Sequence, residues 1–138
     1  QAHDLTTLGS KDTSAQAYRM AGVGPKDMDF AQLYDSFSIN PIIYAEDLGL
    51  CAKGQGGAFF AGGRTAPGGE FPVNTYGGLM SFGHVGDASG QTMIVEAARQ
   101  IMGIAGEARQ LKKADLGVVH CYGGMMSEHA TLVLGSAS

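Results

Sequence analysis

The sequence predicts an α/β domain: a layered, mixed sheet with helices on its faces. Segments with apolar residues at helical spacing alternate along the chain with short, continuous apolar runs. The last two runs, 116–121 and 130–134, are separated only by the turn GGMMSEH, which makes them an antiparallel pair. Glycine supplies 22 of the 138 residues, about double the usual share, so tight loops join the elements.

Residues 13–21 are predicted as the first helix, capped by Asp12 or Thr13 and stopped by Gly22, with Pro25 shortly after. Residues 30–33 read as a short strand. Ile39, Ile42, Ile43 and Leu48 fall at helical spacing, and Pro41 is tolerated only in a first turn, so the next helix begins near Ser38 and runs to Leu48. Its N-terminus then lies beside Tyr34 and Asp35. Residues 53–69 contain Phe59 and Phe60 but almost no periodicity, and read as a long loop with room for one helical turn. A short strand at 71–74 and a glycine turn lead into a helix at 88–102, with Ile94, Val95, Ala98, Ile101 and Met102 as its buried face. GEARQLKKAD closes that helix ahead of the final strand pair.

Composition narrows the function. The chain is one domain, 1–138, long enough to bury roughly 68% of its unfolded surface. With a net charge of −4, no run of Lys or Arg and no Trp, it lacks the basic footprint of a nucleic-acid binder. No apolar run reaches membrane-spanning length, and the first residues lack the order of a signal peptide, so a cytoplasmic protein is expected. Cys51 and Cys121 form neither a disulfide framework nor a metal spacing, and the four histidines are not paired as ligands, so no metal site is expected.

The segment 74–91, NTYGGLMSFGHVGDASGQ, places His84 at the tip of a Gly-rich turn leading into a helix. Glycines there let backbone approach a ligand closely, and the helix start can face an anionic oxygen. This segment resembles the Asn-x-x-Gly-Gly…Gly-His-Pro-x-Gly-Ala-(Ser/Thr)-Gly motif of the thiolase superfamily. LYDSFSINPIIYAEDLGL, from Leu33, resembles the His-Asp-Cys-Phe segment of its lipid-transfer or sterol-carrier type, and HCYGGMMSEHATLVLG, from His120, resembles the Cys-x-Gly-Gly strand near a thiolase C-terminus. The resemblance covers the chain from about Ala15 onward and only the C-terminal half of a thiolase.

It implies a thiolase-like C-terminal half-domain whose central first strand, like the N-terminal half with the nucleophilic cysteine, precedes Gln1. The chain alone is then an incomplete enzyme, and a gap is expected between the strand near Phe30 and the strand ending at Cys121. It also implies an acyl-CoA substrate, no cofactor beyond that coenzyme A thioester, and a full-length protein that forms a homodimer. Cys121 falls on the second cysteine of thiolases and is the acid–base candidate. His84 would activate the nucleophile and donate to the thioester oxygen, while Gly83, Gly123 and Gly124 bring backbone close to substrate.

Tyr34 departs from the pattern, standing where thiolases carry Asn or the lipid-transfer type carries His; Ser36 replaces that type's cysteine and Val85 the family's Pro. A phenol can hold a water, and it can also move a proton in a retro-aldol cleavage of a β-hydroxyacyl-CoA such as a steroid side chain. Three readings follow: a Claisen-type thiolase or acyltransferase, which retained His84 and Cys121 favour; an aldolase, which Tyr34 favours; and a non-catalytic subunit that binds acyl-CoA or a partner protein. Tyr34, His84 and Cys121 are expected to meet in one concavity. His3, His120 and His129 read as structural or surface residues, and Met125 and Met126 as core filler or acyl-pocket lining.

Overall fold

The computed structural model describes residues 4–136, so His3 lies outside the described residues. Helix α1, Ser10–Ala21, starts ahead of the predicted cap. Its start is fixed from a distance: Asp47 accepts hydrogen bonds from the Leu8 N–H at 2.9 Å and the Ser10 hydroxyl at 2.6 Å. Gly22 ends it at φ 68°, in the left-handed conformation that a glycine adopts without strain. Strand β1, Phe30–Leu33, is buried at all four residues, as expected of a strand covered on both faces. Helix α2, Ile39–Asp47, is flanked by Ser38 and Leu48, which places Pro41 in its first turn as predicted.

The predicted loop at 53–69 contains helix α3, Gly56–Phe60, and one further tight helical turn. The strand expected at 71–74 is reduced to a single parallel bridge between Ala31 and Val73. Pro72 has no N–H to give a ladder, and Asn74 turns away at φ 52°. A short helix that the sequence did not signal, α4, Gly78–Phe82, fills the glycine turn, and α5, Ser89–Ile101, follows. Strands β2, Leu116–Gly123, and β3, Glu128–Gly135, form the expected antiparallel pair, with Cys121 opposite Ala130.

The described sheet has the order β1-β2-β3. β1 pairs directly and in parallel with β2, Phe30 opposite Gly117 and Leu33 opposite His120. This overturns the expected gap: the continuous backbone ladder leaves no room for a strand between them. The first strand that the resemblance puts ahead of Gln1 is not among these three. Alternation along β2 sends His120 toward α1 and α2, where it meets Thr131 and Tyr44, and Cys121 toward α5, where Gly90 makes room for its sulfur. Helices therefore cover both faces of a mixed sheet, as predicted, around Phe30, Leu33, Tyr44, Leu48, Met93, Val118 and Val119.

The buried face of α5 differs from the predicted one. Val95 and Met102 are exposed, while Met93, Glu96, Ala97 and Gln100 are buried. Periodicity ranked apolar residues, but Glu96 faces polar partners: Thr75, in the turn after Val73, donates to it at 2.7 Å, and Gln100, one turn along α5, donates at 3.0 Å. No helix among the described residues is long and apolar enough to cross a membrane.

Candidate active site

Three loops meet at the C-terminal ends of β1 and β2. β1 delivers Tyr34, whose N–H donates to the His120 carbonyl at 3.0 Å. β2 delivers Cys121, Tyr122 and Gly123, followed by Gly124 at φ 59°. The loop between α4 and α5 delivers His84; α4 stops at Gly83, φ 116°, and the Val85 N–H is caught by the Ser89 hydroxyl at 2.9 Å. Tyr34, His84, Cys121, Tyr122, Gly123 and Gly124 line one cavity of about 300 Å³. Gly83 is not among its lining residues and serves instead to end α4.

Tyr34 Oη and His84 Nε2 are 2.9 Å apart, the rings edge to face. The Gly86 N–H donates to His84 Nδ1 at 3.2 Å, so the neutral imidazole carries its proton on Nε2 and donates it to the phenol oxygen. The hydroxyl proton of Tyr34 is then free for a group in the cavity. Burial pushes the Tyr34 phenol above its usual range; the Ser89 hydroxyl opposes this, and Tyr122, Cys121 and Asp87 add to it.

Tyr122 was not singled out by sequence. Its ring lies 5.0 Å from that of Tyr34, and its hydroxyl shares a hydrogen bond with Ser36 Oγ at 2.5 Å; Asn40 Nδ2 donates to the same Ser36 oxygen at 3.0 Å. The signal available was its place directly after Cys121, where the strand opens into glycines. Burial pushes the Cys121 thiol up, and no hydrogen bond reaches its sulfur among the described residues. Met125 is exposed and Met126 packs on the core, so the two methionines do not act alike. His120 and His129 are stacked on each other away from the cavity, in the structural role expected. No group of three or more His, Cys, Asp or Glu among the described residues is placed to hold a metal ion.

Residues 1–136 match the family model described as thiolase C-terminal domain-like. The chain belongs to that family. It is 40% identical over 122 residues to the acetyl-CoA acetyltransferase of Methanothermobacter thermautotrophicus, covering 88% of this chain and 32% of that protein. It is 40% identical over 114 residues to sterol carrier protein 2 of Rattus norvegicus, covering 83% of this chain and 21% of that protein. The chain thus spans a third or less of the length of these curated relatives. Among solved structures it resembles the "Ltp2-ChsH2(DUF35) aldolase", with a TM-score of 0.86 and 29% identity over 98% of this chain and 34% of that one. In this thiolase-family domain the three motifs read from sequence are the three loops that close the cavity.

Proposed function

We propose that the protein carrying this chain is an aldolase of the thiolase family, cleaving the carbon–carbon bond of a β-hydroxyacyl-CoA. The observation that carries this reading is the 2.9 Å contact between Tyr34 Oη and His84 Nε2 at the wall of the cavity. The likeness to an aldolase over 98% of the chain supports it. It replaces the thiolase as the main reading, because the phenol of Tyr34 is held by an imidazole in the cavity, while the Cys121 thiol has no hydrogen-bond partner among the described residues.

In the reaction Tyr34 acts from its phenolate form, held by the Nε2–H of His84, and takes the proton of the β-hydroxyl group to become the phenol. The β-carbon becomes a carbonyl as its bond to the α-carbon breaks, and the electron pair moves into the thioester enolate. The Tyr34 phenol then gives its proton to the α-carbon, which restores the phenolate and yields a ketone or aldehyde and a shortened acyl-CoA. Tyr122, beside Tyr34, donates to an oxygen that gains charge when the Ser36 hydroxyl is the donor in the bond those two share. Val85 after His84 and Met125 after Gly124 are exposed apolar side chains, which suits a bulky apolar acyl group such as a steroid side chain. The acyl-CoA, a second copy of the full-length protein and a partner protein are the proposed partners.

The thiolase reading remains the second, on the strength of the acetyltransferase relative. Assays of the full-length protein with β-hydroxyacyl-CoA and acetoacetyl-CoA substrates separate the two. For the aldolase, Tyr34→Phe lowers turnover by roughly 10²–10⁴-fold and Cys121→Ala has a smaller effect. The reverse order would establish the thiolase. Indifference to both substitutions with acyl-CoA binding intact would leave the non-catalytic subunit.

A further inference from the structure

The Asn-x-x-Gly-Gly run ahead of His84 has a structural task that the reaction above does not use. The residues on either side of Tyr34 grip that run. Before it, the Leu33 N–H donates to Asn74 Oδ1 at 2.7 Å and Asn74 Nδ2 donates to the Leu33 carbonyl at 2.8 Å. After it, the buried carboxylate of Asp35 accepts from the N–H of Leu79 at 2.7 Å and of Met80 at 3.4 Å. Gly78, at φ 68°, passes so close to this carboxylate that a Cβ there would overlap it. The helix held in this way, α4, ends at Gly83, whose N–H donates to the Leu79 carbonyl at 2.9 Å, one residue before His84.

We propose that Asp35 is a positioning residue for the Tyr34–His84 pair: by fastening the start of α4 to the end of β1, it sets the imidazole at hydrogen-bond distance from the phenol. Asp35 is not among the residues lining the cavity, so it acts through α4 and not on substrate. The two partners sit on loops 50 residues apart in sequence, and the hydrogen bond between them requires both loops to be fixed to a common support. The carboxylate supplies that support from the position adjoining Tyr34. Gly78 is required because only a residue without Cβ lets the backbone approach.

The test uses the full-length protein with ¹⁵N-labelled histidine, and rests on the aldolase reading only for its kinetic part. Long-range ¹H–¹⁵N spectra should show His84 as the Nε2–H tautomer in the wild type. Asp35→Ala and Gly78→Ala should each convert it to the averaged pattern of an unrestrained imidazole. They should also lower kcat by about 10- to 100-fold with KM within about twofold. Asp35→Asn, which keeps an acceptor for the shorter bond, should retain the wild-type pattern. Unchanged His84 spectra in folded Asp35→Ala, or in Gly78→Ala should the former not fold, would overturn the proposal; so would a lowered thermal midpoint with no change in tautomer. If no β-hydroxyacyl-CoA is turned over, the aldolase reading fails, and the spectra still decide the role of Asp35.

Discussion

His120 is fully buried, with Nδ1 2.8 Å from Thr131 Oγ1 and Nε2 3.3 Å from His129 Nδ1. Burial, and then the charge of His129, pushes its imidazole down to about 3. An unfolded chain protonates this ring near its ordinary value of about 6.5. Between those values the unfolded chain binds the extra proton, so stability is lost as pH falls from about 6.5 toward about 3, with a limiting size on the order of 5 kcal/mol. His129 is also held low, by burial, against a hydrogen bond with the Met126 carbonyl and the charge of Asp47, and adds in the same direction. His120→Gln should therefore flatten the acid limb of the urea-unfolding midpoint of the full-length protein. Identical pH dependence in the two proteins would show that His120 is not a buried neutral ring. Histidine content alone did not reveal this pair, because their meeting depends on the pairing of β2 with β3.

At the scale of elements, α5 depends on Gln100. Its Nε2 donates to Glu96 at 3.0 Å and to the Arg109 carbonyl at 2.9 Å, and its Oε1 accepts from the Leu111 N–H at 2.9 Å. Gln100→Ala strands an amide and a carbonyl in a buried place and should cost about 2–4 kcal/mol by denaturant unfolding. A loss below about 0.5 kcal/mol, the size typical of a surface position, would mean water reaches these groups. The β1–β2 ladder makes a separate demand. Phe30 is opposite Gly117, and its ring occupies the place of a Cβ there. Gly117→Ala should destabilise by about 1–3 kcal/mol through overpacking, and Phe30→Leu in the same chain should recover part of that loss. Helix starts and stops marked by Gly22 and Pro41 were legible because they act through local backbone geometry. The start of α1 was not, since its anchor lies on α2.

Asp47 shows how the whole molecule is tied together. Its carboxylate, nearly inaccessible, receives Leu8 N–H and Ser10 Oγ across 39 and 37 residues, and Lys53 pairs with its other oxygen at 3.4 Å. Asp47→Ala should lower stability by about 2–3 kcal/mol and speed amide exchange in residues 10–13 before the rest of α1. Uniform exchange along α1 would argue against this anchor.

The order of α1, β1, α2, α5 and the β2–β3 pair, and the loops bearing Tyr34, His84 and Cys121, were determined by the sequence itself, because periodicity, glycine placement and turn residues are local signals. Register, the polar face of α5 and the proximity of the phenol to the imidazole were decided only in three dimensions. Each depends on groups distant in sequence satisfying one another's hydrogen bonds, as Glu96 does for Thr75 and Gln100, and Asp35 for the start of α4. A buried polar group takes whatever partner the packed neighbour offers, and hydropathy along one segment does not encode which neighbour that is.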